Sequence, residues 1–86
     1  MLQGGSSVRI EVLGSGCAKC KRQAQVAERV VKELGLKAEI VKVEDIDAII
    51  ERGVMMTPAL YIDGVLKSSG RIVESEELKR MLTASG

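Results

Sequence analysis

Between residues 20 and 34, apolar side chains recur at spacings of four, three, four and three: Cys20, Ala24, Ala27, Val31 and Leu34, with Val30 widening the stripe. That period puts them on one face of an α-helix, and Gly35 supplies a stop just past its end. On either side lies a β-branched run, VRIEVL at 8–13 closed by Gly14 and AEIVKVE at 38–44, each of which reads as a strand. The two cysteines of the chain, in SGCAKCKR, fall where the first strand turns into this helix. Cys20 belongs to the inward stripe, while Cys17, one turn earlier, falls at the helix N-terminus. One sulfur is therefore expected to be sheltered and the other reachable.

The rest of the chain continues the alternation. Asp45 suits the cap of a short helix whose Ile46, Ile49 and Ile50 share one face before Gly53 ends it. Pro58–Ile62, then Asp63-Gly64, then Val65–Ser68 predict a hairpin, because both turn residues tolerate positive φ. From Glu74 to Met81 the acidic residues precede Lys79-Arg80, which matches a helix dipole, and Leu78, Met81 and Leu82 form the inward face. The order is βαβαββα. The opening MLQGGSS, residues 1–7, is expected to be a flexible leader to a single domain over 8–86.

Eighty-six residues suit one domain, and Tyr61 as the sole aromatic residue makes its core aliphatic. Thirteen basic against 12 acidic residues leave a net charge of +1, with no basic stripe and no aromatic platform for nucleic acid. No run approaches the length of a membrane span, and the first residues lack a signal-peptide core. A soluble, cytoplasmic monomer is the expectation.

Three chemistries suit a Cys-x-x-Cys pair. A structural staple is the weakest, because so small a loop removes little denatured-chain entropy. A metal site is limited by the absence of His and of any further Cys, which rules out a closed zinc site of N and S ligands within one chain. Soft-metal binding, of Cu(I) or zinc, by the two thiolates stays open as the alternative to a redox couple.

Two motifs in order, IEVLGSGCAKC at 10–20 and GVMMTPALYIDG at 53–64, together with the βαβαββα pattern, resemble the small thioredoxin-like and glutaredoxin-like redox proteins. The resemblance spans Val8 to Leu82. It implies an α/β minimal thioredoxin fold with a mixed four-stranded sheet, helices on both faces, and thiol–disulfide oxidoreductase activity without a cofactor. Cys17 matches the attacking thiol, Cys20 the resolving thiol and Pro58 a cis-proline facing the disulfide. Thr57 would offer main-chain groups to a substrate strand, with Met56 and Gly16 as further substrate contacts. Glu11 stands where such proteins can carry a buried acid that shuttles a proton, although its alternation with Ile10 and Val12 also suits a solvated strand face. The implied partners are protein disulfides or dithiols and a reductase, either a flavoprotein or a glutathione system. The chain departs from ordinary thioredoxins at Gly16, where they carry tryptophan, and at Ala18-Lys19, where they carry Gly-Pro. Ser69-Gly70 is all that corresponds to the glutathione-holding signature of glutaredoxins.

The chemistry requires a thiolate, and an ordinary cysteine near pKa 8.5 is only about 3% ionised at pH 7. The N–H groups and dipole of the first helical turn are expected to lower that value for Cys17, and Lys19, Lys21 and Arg22 add positive charge.

Overall fold

A computed structural model describes residues 8–14, 16 and 18–84 of the chain. The element order is β1 (Val8–Leu13), α1 (Ala18–Leu34), β2 (Ala38–Val43), α2 (Ile46–Glu51), β3 (Ala59–Ile62), β4 (Val65–Ser69) and α3 (Ser75–Ala84). The residues expected to form a leader, 1–7, lie outside the described ones.

The four strands form one sheet in the order β2-β1-β3-β4. β1 runs parallel to β2, with Val8 beside Ala38 and Leu13 beside Val43. β3 is antiparallel to both β1 and β4, so the sheet is mixed. Alternation along β1 and β3 then sorts their side chains onto two faces. Ile10, Val12, Leu60 and Ile62 face α1 and α3 in an aliphatic core that includes Ala27, Val30 and Leu78. Leu13, Ala59 and Tyr61 face the other way and pack with Ile49 of α2 and Val54. Helices thus cover both faces, which is the minimal thioredoxin fold the resemblance implies.

Local signals behave as their chemistry predicts. Asp45 caps α2 by accepting the Asp47 N–H at 3.1 Å. The hairpin turn has φ of 52° at Asp63 and 81° at Gly64. Asp63 also fastens the turn to β1: its carboxylate accepts the Arg9 N–H at 2.9 Å and its own N–H donates to the Arg9 carbonyl at 2.8 Å.

One expectation about faces is refined, since Val31 and Leu34 pack on the core from its margin, and one needs correction. On α1 the buried arc comprises Cys20, Gln23, Ala24, Val26, Ala27 and Val30, whereas Val31 and Leu34 are only half-buried. The helix packs against α3 as well as the sheet, which rotates the sheltered arc toward Gln23 and Val26. On α2, Ile49 alone is buried, while Ile46 and Ile50 are 59% and 64% exposed. Successive helical residues are rotated by about 100°, so a short helix that directs Ile49 at the sheet carries Ile50 away from it.

Candidate active site

Of the candidate site residues, Gly16, Cys20, Thr57 and Pro58 lie toward the end of the sheet where β1 and β2 finish and β3 begins. Leu13 is paired with Ala59, so the chain on each side of that pair, Gly14 and Pro58, emerges at the same end. The Gly14 N–H donates to the Val43 carbonyl at 2.9 Å, which continues the β1–β2 pairing one residue past the strands. After this point the chain must turn back into α1. Gly16 does so with φ of 89°, a region open to glycine and costly for other residues.

Cys17, the expected attacking thiol, lies outside the described residues; α1 begins one residue beyond it in the chain. Cys20 sits in the first turn of α1 and is buried, as the stripe predicts. Its side chain lies directly on the backbone of Gly14: a Cβ added there would stand 2.7 Å from the Cys20 Cβ and closer still to its sulfur. A glycine at position 14 is thus what allows this sulfur to settle against the end of β1. Read from sequence, Gly14 is only a strand terminator; its packing role follows from the general use of glycine where backbone and side chain approach closely.

Beside Cys20 a cleft of about 250 Å³ opens between α1 and the end of β2, lined by Gly14, Gly16, Lys21, Gln25, Lys42 and Glu44 among others. Lys19 and Lys21 are both exposed on the first turns of α1, and that first turn carries no acidic residue. Among the described residues, no three His, Cys, Asp or Glu side chains cluster to hold a metal ion.

Across β1 stands the second part of the site. The Thr57–Pro58 bond is cis, and Pro58 is fully buried while Thr57 is half-buried. Met56 is 63% exposed and lies over Gly70, whose missing side chain leaves it room; a Cβ there would approach the Met56 Cβ to 3.1 Å. Two hydrogen bonds hold this rim. The Ser69 hydroxyl donates to the Met56 carbonyl at 2.9 Å, and the Gly70 N–H donates to the Pro58 carbonyl at 3.0 Å. Met55, 94% exposed, stands out from the same segment.

Glu11 does not belong to a solvated strand face. It is buried on the α2 side of the sheet and gripped by both Arg52 guanidinium nitrogens, at 3.2 and 2.5 Å, with Arg9 at 3.9 Å. Arg52 in turn lies 4.9 Å from the centre of the Tyr61 ring. The hydrogen bonds from Arg52 hold the Glu11 carboxyl below its usual value, outweighing the upward push of burial. Nothing local in the sequence marks Arg52 as its partner. The two are 41 residues apart, and they meet only because Arg52 caps the end of α2 over β1.

Comparison with known proteins agrees with this architecture. The solution structure of oxidised thioredoxin from Plasmodium falciparum superposes with a TM-score of 0.64 at 19% identity, over 91% of this chain and 80% of that one. A structure of thioredoxin-2, described as a component of the malaria parasite protein secretion machinery, gives 0.67 at 19% identity over 98% of both chains. These likenesses define the class by fold. Sequence comparison defines the family: the thioredoxin-domain model matches residues 8–83. A thioredoxin of Methanothermobacter thermautotrophicus is 41% identical over 76 residues, covering 88% of this chain and 99% of that protein. A thioredoxin of Methanocaldococcus jannaschii is 41% identical over 75 residues, covering 87% and 86%. The chain belongs to the thioredoxin family, whose members are thiol–disulfide oxidoreductases.

Proposed function

We propose that this protein reduces or forms disulfides in other proteins through Cys17-Ala-Lys-Cys20. The observation that carries this reading is the placement of buried Cys20, on Gly14, at the same end of the sheet as the cis Thr57–Pro58 rim. A rim of this kind offers main-chain groups to an extended segment, and exposed Met56 gives it an apolar contact. Gly16 leaves the approach open where ordinary members carry a bulky ring.

In the reducing direction the Cys17 thiolate attacks one sulfur of a partner disulfide, and the partner's other sulfur leaves as a thiolate. Cys20, deprotonated, then attacks the Cys17 sulfur, breaking the mixed disulfide and releasing the second partner thiolate. Two electrons have passed to the partner, and the Cys17–Cys20 disulfide remains to be reduced by a flavoprotein reductase or a glutathione system. The reverse sequence forms a disulfide in the partner. The first-turn N–H groups of α1, with Lys19 and Lys21, stabilise the Cys17 thiolate. A reducing cytoplasm is the compartment that suits this cycle.

A proton-shuttle role for Glu11 would require Arg52 to release the carboxylate, since a carboxyl held ionised by a guanidinium is a poor proton acceptor. An unchanged pH–rate profile in Glu11→Gln is the expected result. For the couple itself, Cys17→Ser is expected to abolish insulin-disulfide reduction, and Cys20→Ser to trap a mixed disulfide visible on non-reducing denaturing gels. Retained activity in Cys17→Ser would overturn the assignment. Stoichiometric metal in protein purified under reducing conditions, with no measurable dithiol potential, would favour the soft-metal alternative.

A further inference from the structure

α1 carries one polar side chain inside the aliphatic core. Gln23, three positions beyond Cys20, is fully buried, and both ends of its amide are used on one residue. Its Oε1 accepts the Val73 N–H at 2.6 Å and its Nε2 donates to the Val73 carbonyl at 3.1 Å. Val73 is itself fully buried in the connection between β4 and α3. There its backbone has neither a sheet nor a helix partner among the described residues, so the amide completes it. Leucine or methionine would fill the same volume and leave both main-chain groups unpaired; asparagine would be one methylene short.

The same connection reaches the substrate rim at its other end. Gly70 holds the Pro58 carbonyl and supports Met56, and Ser69 holds the Met56 carbonyl. Between these residues and Val73, Arg71 is fastened forward to Glu77 of α3 by paired bonds of 2.9 and 2.7 Å. One short segment, 69–73, therefore touches the Met56–Pro58 rim at one end and α1 at the other, and Gln23 is its polar anchor on the helix that carries Cys20.

We propose that Gln23 is a positioning residue that sets the Met56–Pro58 rim relative to the Cys20-bearing helix, and so governs how tightly a protein disulfide is held without entering the exchange itself. This rests on the oxidoreductase reading above. A small displacement of groups that orient a substrate can cost up to about a hundredfold in rate, so a loosened rim should be visible in kinetics.

The test uses the full chain carrying Gln23→Met. Its KM for insulin disulfide is expected to rise about tenfold, with kcat, the Cys17–Cys20 potential and the rate toward a small aromatic disulfide within about threefold of wild type. Amide exchange at Gly70 should accelerate at the same time. Equal loss toward both substrates, or an unchanged KM with unchanged Gly70 exchange, would overturn the proposal. If the wild-type chain reduces no disulfide, the oxidoreductase reading fails first, and unchanged Gly70 exchange would still refute the coupling on its own. Should Gln23→Met not fold, Gln23→Glu serves. Burial raises its pKa, so below that value the neutral acid again offers donor and acceptor. The KM defect should then shrink on acidification relative to wild type, and a defect independent of pH would count against positioning.

Discussion

The two faces of the sheet are built on different principles. Toward α1 and α3 the strands present Ile10, Val12, Leu60 and Ile62 to an aliphatic core whose one side-chain amide, on Gln23, is satisfied at both ends. Toward α2 the same strands present Leu13, Ala59 and Tyr61, but also Glu11, so this smaller core is closed by an ion pair and a cation over a ring. The first face draws stability from area removed from water, which no change of pH disturbs. The second depends on a charge staying ionised. Adjacent residues of β3, Leu60 and Tyr61, belong one to each face, so substitutions a single position apart probe different physics.

The largest effect is expected on the aliphatic side. Leu60→Ala removes buried methyl groups from a site with little room to collapse and should cost about 3 kcal/mol. In a chain this small that is a large part of a total stability of roughly 5–15 kcal/mol. Urea unfolding at pH 7 measures it, and a cost below about 1 kcal/mol would show that this face is less tightly filled than its burial indicates.

Removing Arg52 tests the other face. Losing one partner of a fully buried pair costs about 3–5 kcal/mol. The Arg52 side chain is 37% exposed, so water would relieve part of the isolated charge on Glu11 and about 2 kcal/mol is expected for Arg52→Met. Adding Glu11→Leu to the same chain should return stability to within about 1 kcal/mol of wild type, because an apolar replacement of both partners is often neutral. A double variant no better than Arg52→Met would mean that the carboxylate is not the source of the loss.

The sign of the pH response separates the faces further. In the folded protein the Glu11 pKa is depressed below 4.5 by its hydrogen bonds from Arg52. Its contribution is therefore complete above 4.5 and is lost as the pH falls from there through the folded value. In Arg52→Met the buried carboxyl keeps only the more distant Arg9, whose pull is weaker than the push of burial, so its pKa rises and acidification from neutrality should instead favour the folded state at this site. Glu33 and Glu77, likewise lowered by Lys79 and Arg71, titrate alike in both proteins and cancel in the difference. Urea midpoints at pH 7 and pH 4, compared between the two, should move in opposite directions once the common change is subtracted. Leu60→Ala should follow wild type in parallel.

The contrast also explains what could be read from the sequence. Turn and cap chemistry is local: Asp45 with Asp47, or Asp63-Gly64, involves residues within a few positions, and those elements stand where expected. Helical period located Cys20 on the sheltered side because it lies on the same buried arc of α1 as Ala24 and Ala27. What period cannot supply is the identity of a distant partner. Gln23 reads as an interruption of the stripe until Val73, 50 residues later, is placed against it. Glu11 reads as half of a polar alternation until Arg52 closes over it. Ile46 and Ile50 show the converse failure, since a six-residue helix has apolar residues in phase with more of its circumference than one sheet face can cover.

The smallest effect concerns a polar group the aliphatic face leaves unsatisfied. Ser68 pairs with Leu60 across the β3–β4 ladder, just past the register shift between Leu60 and Tyr61, so its side chain shares the side of the sheet that Leu60 occupies. It is buried, and its hydroxyl has no hydrogen-bond partner among the described residues. A buried, unpaired hydroxyl carries a desolvation cost of about 1–3 kcal/mol, whereas removing one oxygen leaves a void too small to forfeit much dispersion energy. Ser68→Ala should therefore stabilise the fold by about 1 kcal/mol, with no change in its pH dependence because no charge is involved. A urea midpoint that falls would mean the hydroxyl is satisfied in solution, and that this face relies on a second polar contact beside that of Gln23.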